Sequence, residues 1–146
     1  MKVETKYFGI IECNEEDLII FEDGFIGMED YKKWLPVSFG DTVSNMSCLQ
    51  SVDEVNLAFV TINPFVIVSD YNAEISDADK DALEIDDENT VTCHVICTMK
   101  ETVEDSTINL KAPVVINTKN RKGKQVVLDY PYEFRYKLSN NKEKGC

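Results

Sequence analysis

The sequence predicts an all-β fold: a small antiparallel β-barrel-like domain or a two-sheet sandwich, carrying one short helix. Three observations lead there. Apolar runs rich in β-branched and aromatic residues recur at close spacing, roughly eight to ten of them, punctuated by Gly, Pro, Asn and Asp. Thr90–Met99 alternates, with Val91, Cys93, Val95, Cys97 and Met99 on one face and Thr92, His94, Ile96 and Thr98 on the other. Only one segment, Ser76–Leu83, opens like a helix, with Ser76 and Asp79 as a variant capping box and early aspartates at the positive end of the dipole.

From the N-terminus, Val3–Cys13 reads as one strand bent at Gly9, Asn14–Asp17 as a turn, and Leu18–Phe21 as a second strand antiparallel to the first. Glu22–Met28 is a loop by its two glycines and its acids. Its Phe25, Ile26 and Met28 either tuck into the core or stand at a surface. Met28–Leu35 reads as a short helical turn ended by Trp34-Leu35-Pro36, with strands at Val37–Phe39 and Met46–Leu49. Gln50–Asn56 is a polar connection with Ser51 and Asp53 as turn formers. Leu57–Ile62 is apolar on both alternating faces, which marks a strand covered on both sides, and Asn63-Pro64 closes it. Phe65–Val68 is a further apolar run. After the helix and the Thr90–Met99 strand comes an acidic turn at Glu101–Ser106. Thr107–Leu110 then leads through Lys111-Ala112-Pro113 to a strand at Val114–Asn117, a basic hairpin turn at Thr118–Lys124 and its return strand at Gln125–Leu128. Tyr132–Leu138 forms a last strand. Residues 1–138 make one domain and 139–146 a polar C-terminal tail.

The charge is uneven. Of 27 acidic and 15 basic side chains, residues 1–106 hold 24 and 6, and residues 107–146 hold 3 and 9, giving −18 and +6 for a net −12. Either the halves interleave and partly neutralise each other, or an acidic face steers a basic protein partner. Direct nucleic-acid binding is disfavoured, because affinity there comes largely from neutralising phosphates. The charged N-terminus lacks the apolar core of a signal peptide, and no apolar run approaches the roughly 20 residues of a membrane helix. The expectation is a cytoplasmic protein with no membrane partner. Its five cysteines, Cys13, Cys48, Cys93, Cys97 and Cys146, read as reduced thiols, buried except for Cys146 on the tail.

Chemistry is harder to find. His94 is the only histidine, and its neighbour Cys93 points to the opposite face of a strand, so no Cys-His dyad or metal pair forms there. Asp77, Asp79, Asp81 and Glu88 fit positions 1, 3, 5 and 12 of a calcium loop, but Ala82 and Glu84 stand where glycine and an apolar residue belong. The capped helix explains the same aspartates. There is no glycine-rich phosphate loop. By elimination the chain is a binding protein, not an enzyme, with no cofactor and no metal.

Six stretches in order resemble the FliW family of flagellar assembly factors: TKYFG (Thr5–Gly9), FEDGFIGMEDY (Phe21–Tyr31), LQSVDEVNLAF (Leu49–Phe59), NPF (Asn63–Phe65), INLKAPVVIN (Ile108–Asn117) and QVVLDYPY (Gln125–Tyr132). Met28 departs from the aromatic residue usual at that place. The resemblance implies a non-catalytic β-barrel-like monomer. It would hold flagellin and, once freed, bind the basic RNA-binding translational regulator CsrA beside its RNA site, relieving repression of flagellin translation. The alternative is a chaperone-like binder of flagellin without a CsrA role. Expected partner contacts are Phe25 and Met28 in the glycine loop and Glu74, Asp77 and Asp81 near the helix: an apolar anchor ringed by charge, as an interface of about 800 Å² per side needs. Gln50, Ser51, Asn109, Pro113 and Gln125 carry the resemblance and are expected to serve turns and buried hydrogen bonds.

Overall fold

The computed structural model describes residues 1–39, 46–102 and 104–138. Two adjoining elements open the chain: β1 (Lys2–Glu4) and β2 (Ile10–Glu12) pair antiparallel, with Val3 opposite Ile11. The single bent strand expected over Val3–Cys13 is therefore a hairpin. Gly9 lies in its loop at a φ of 69°, a left-handed conformation that glycine adopts without a Cβ penalty. Thr5 fastens that loop, accepting from Phe8 N–H and donating to the Gly9 carbonyl through one hydroxyl.

The remaining strands are β3 (Ile19–Ile20), β4 (Lys33–Ser38), β5 (Met46–Ser51), β6 (Ala58–Ile62), β7 (Val91–Thr98), β8 (Thr107–Ile108), β9 (Val114–Asn117), β10 (Lys122–Gln125) and β11 (Tyr136–Lys137). The order β7-β6-β5-β4-β3-β10-β9 returns to β7, so seven strands close a barrel rather than a sandwich, while β8 and β11 extend it as a flank. Closure depends on β7 and β9. The first half of β7 pairs with β9, Val91 opposite Asn117 through His94 opposite Val114. Its second half pairs with β6 and β8. Between β8 and β9 the chain makes an excursion held by Asn109, whose Oδ1 accepts from Ala112 N–H at 3.0 Å.

Several expectations shift. β3 pairs with β4 and with β10, not with the first strand. Met28–Leu35 is not helical: β4 runs straight through Pro36. Lys33's carbonyl accepts from Val52 on the β5 side, so backbone alternation turns Pro36's nitrogen toward β3, whose ladder has already ended at the Ile19–Trp34 pair. The absent N–H thus costs no ladder bond. The return strand after Asn117 begins at Lys122, three residues earlier than the expected Gln125, because a tight turn closes with Arg121 N–H on the Asn117 carbonyl. Pro64–Val66 is a 3-10 turn capped by Asn63, and the last strand shrinks to Tyr136–Lys137. The expected acidic turn is present except for Val103, which lies outside the described residues, as do the tail 139–146 and Cys146.

Alternation along the strands sorts side chains into two main cores. Inside the barrel, Phe25 lies with its ring 4.6 Å from Phe21, 4.7 Å from Trp34 and 4.9 Å from Phe59, centroid to centroid. Trp34 is fully buried and donates from Nε1 to the Tyr31 carbonyl. Outside the barrel wall, Val95, Cys97 and Val115 face a second core completed by Tyr71, Leu83, Val126 and Leu128. β6 shows why Leu57–Ile62 looked two-sided: Phe59 packs inward and Val60 and Ile62 pack outward. The β1–β2 hairpin covers a third, smaller cluster, where its Val3 meets Leu18 and Leu35.

Gly123 sits against the inner core. A Cβ added there would lie 2.5 Å from Phe21 Cζ and 3.0 Å from Ile19 Cγ2. Gly123→Ala is expected to lower stability by about 1–3 kcal/mol through overpacking, read as a fall in the denaturant midpoint at unchanged m-value.

Candidate functional site

The glycine loop folds as a tight hairpin. Phe25 and Met28 bridge each other, with Met28 N–H on the Phe25 carbonyl at 2.8 Å, leaving Ile26 and Gly27 at the tip. Gly24 has a φ of 64°, and a Cβ there would meet the Glu29 backbone at 2.6 Å, so this position requires glycine. The tip is tied to the barrel by Gln125, whose Oε1 accepts from Ile26 N–H while its Nε2 donates to the Ala112 carbonyl. Phe25 is therefore a core residue, 1% exposed, and offers no surface as an anchor. Met28 is half-buried on the same core, and the exposed apolar group of the loop is Ile26.

The helix α1 (Asp77–Ala82) forms where expected. Ser76 Oγ accepts from Asp79 N–H, the N-cap half of the expected box. The Asp79 carboxylate pairs instead with Lys124 at 2.6 Å. The other end is closed from outside: the Leu83 carbonyl accepts from Asn117 and Asn120 side-chain amides, each at 3.0 Å. Two turns that would fray alone are thus fixed to the β9–β10 hairpin. Asp77, Asp79 and Asp81 stand on a helix, not on an ion-wrapping loop.

The glycine loop and α1 flank β10, and two lysines join them. Lys122 lies between Glu22 (3.3 Å) and Glu84 (2.7 Å); Lys124 lies between Asp23 (3.7 Å) and Asp79 (2.6 Å). The acidic and basic parts of the sequence do interleave here. Each lysine holds its proton above the ordinary range, chiefly through the hydrogen bond to Glu84 or Asp79. Beyond Lys124 the compensation stops. A cleft of 480 Å³ opens between residues 72–79 and 126–130, walled by Glu74, Asp77 and Asp129 with Val127 and Tyr130 beside them. Among the described residues no cation pairs with any of those three carboxylates. Asp81 is exposed on α1 and does not line the cleft. Of the expected contacts, Glu74 and Asp77 come together. Sequence reading missed Val127, Asp129 and Tyr130, although they lie inside the QVVLDYPY stretch.

The resemblance-bearing polar residues act as framework. Gln50 is fully buried; its Nε2 lies 3.0–3.3 Å from the carbonyls of Ser51, Glu54, Val55 and Leu57, and its Oε1 accepts from Lys6 N–H. Ser51 Oγ accepts from Asp53 and Glu54 N–H, closing the turn into β6. Cys93 packs in the outer core, its thiol pushed up to about 12 by burial, and His94 faces the other side of β7, its imidazole held below the ordinary range by burial.

The chain as a whole has known relatives. The FliW protein family profile matches residues 2–138. The chain belongs to the FliW family. The flagellar assembly factor FliW of Exiguobacterium sp. (strain ATCC BAA-1283 / AT1b) is 46% identical over 142 residues, covering 97% of each chain. That of Alkaliphilus metalliredigens is 42% identical over 129 residues, 88% of this chain and 80% of the relative. A crystal structure of the flagellar assembly factor FliW superposes with a TM-score of 0.88 at 36% identity, covering 94% of this chain and 96% of that one. The barrel is thus a FliW fold, and no helix among the described residues of this FliW family member is long and apolar enough to cross a membrane.

Phe25→Ala is expected to cost about 3–5 kcal/mol in chemical unfolding, a core effect rather than a binding one. A second expectation concerns pH. The folded state disfavours the proton that an unfolded His94 takes up near pH 6.5, so stability is full above about pH 6.5 and falls below it. A denaturant-midpoint series across that range should show the slope, and His94→Asn should flatten it.

Proposed function

We propose that this chain is a non-catalytic, cytoplasmic, monomeric regulator that binds flagellin and antagonises the translational regulator CsrA, relieving repression of flagellin translation. Membership in a family of flagellar assembly factors supports the setting. The observation that carries the binding role is the cleft beside α1, where Glu74, Asp77 and Asp129 form no ion pair among the described residues while neighbouring acids are neutralised by Lys122 and Lys124. An uncompensated acidic wall next to exposed apolar groups suits a basic protein surface and speeds encounter. It also accounts for antagonism of an RNA-binding protein without RNA contact: negative charge docked beside a basic groove repels phosphates without covering it. Nothing in this role requires a bond to be made or broken.

The test is a titration of purified CsrA with this protein, with and without flagellin. Binding that flagellin relieves supports partner switching; binding to flagellin alone supports the chaperone-like alternative. Glu74→Lys with Asp77→Lys should slow CsrA association about tenfold at low salt, with little change in melting temperature, and raising salt should erase the difference.

A further inference from the structure

The acidic cleft is also a gap in the hydrogen-bonding pattern. Past Gln125 the chain continues alongside residues 111–113: Val126 N–H donates to the Pro113 carbonyl at 3.0 Å and Leu128 N–H to the Lys111 carbonyl at 2.9 Å. Backbone alternation turns the N–H and C=O of Val127, between them, to the opposite edge. Neither group has a partner among the described residues, and Val127 lines the cleft. On the other wall, Tyr71–Ser76 alternates between inward Tyr71, Ala73 and Ile75 and outward Asn72, Glu74 and Ser76, the pattern of a strand, yet it belongs to no sheet. The backbone N–H and C=O groups of Ala73, Glu74 and Ile75 likewise have no partner among the described residues. The cleft therefore has open backbone on both sides and carboxylates along its walls.

We infer that the cleft between Glu74–Ile75 and Val127 takes an extended, cationic segment of a protein partner by strand addition. Backbone pairing to Val127 supplies register, and lysine or arginine side chains on alternate positions meet Glu74, Asp77 and Asp129. The charge selects the occupant: an acidic or neutral strand would leave three carboxylates uncompensated beside it. The inference rests on the proposed partner-binding role and specifies how that role is carried out.

Val127→Pro tests it, because proline deletes the Val127 N–H while the ladder bonds of Val126 and Leu128 use other groups. The variant and the wild type are titrated with purified CsrA and flagellin, and with short overlapping peptides covering both. The expected result is an unchanged melting temperature, at least about a tenfold loss of affinity for the partner, and selection of a basic, alternating peptide by the wild type. A second measurement does not depend on the variant folding: residue-resolved amide exchange of the wild type, where partner should slow exchange at Val127 and within Glu74–Ile75. Wild-type affinity in a folded Val127→Pro, or unaltered exchange at these amides in a formed complex, overturns strand addition while the binding role stands. A wild type that engages neither partner overturns both.

Discussion

The barrel wall depends on one thin seam. β10 must bond to β9 along its length and to β3 through little more than the Lys122–Ile20 pair. That short parallel seam holds because the aromatic cluster of Phe21, Phe25, Trp34 and Phe59 fills the space behind it, and because Gly123 leaves room for the Phe21 ring. Arg121, at a φ of 60°, directs its guanidinium to the Asp17 carbonyl and pins the hairpin to the turn that precedes β3. A seam with few ladder bonds is thus compensated by packing on one side and by charge on the other.

The charges on the outside of the same strand organise the surface. Lys122 and Lys124 each take one carboxylate from the glycine loop and one from the helical segment, so two irregular elements far apart in sequence share a frame. These exposed pairs contribute modestly to stability. Their larger effect is on pattern. They neutralise the acids nearest the seam and leave Glu74, Asp77 and Asp129 without ion pairs along the cleft.

Much of this was legible in the residues. Alternation in Thr90–Met99 placed both faces of β7, and Ser76 placed the helix start, because both signals are local. The roles of Gln50, Ser51, Asn109 and Gln125 as turn and hydrogen-bond residues also followed from their type. What failed was non-local. Whether Phe25 packs or protrudes depends on Trp34 and Phe59, which arrive from other strands. Pro36 looked like a terminator because its permissive edge exists only after β3 has ended. Lys122 and Lys124 looked like a turn because a run of basic residues does not reveal the acids that will sit across from it. The cleft was half visible: Glu74 and Asp77 stood out as acids, whereas Val127 matters through its backbone, which no composition or motif displays.

The amides that close the far end of α1 come from Asn117 and Asn120, more than thirty residues downstream. During synthesis on the ribosome, the helix, the lysine bridges and the second wall of the cleft must wait until the stretch through Tyr130 has emerged. A nascent chain stopped short of it carries the acids without the frame. Such a fragment has the charge of the acidic wall but not its shape, so the cleft forms only after both of its walls have emerged.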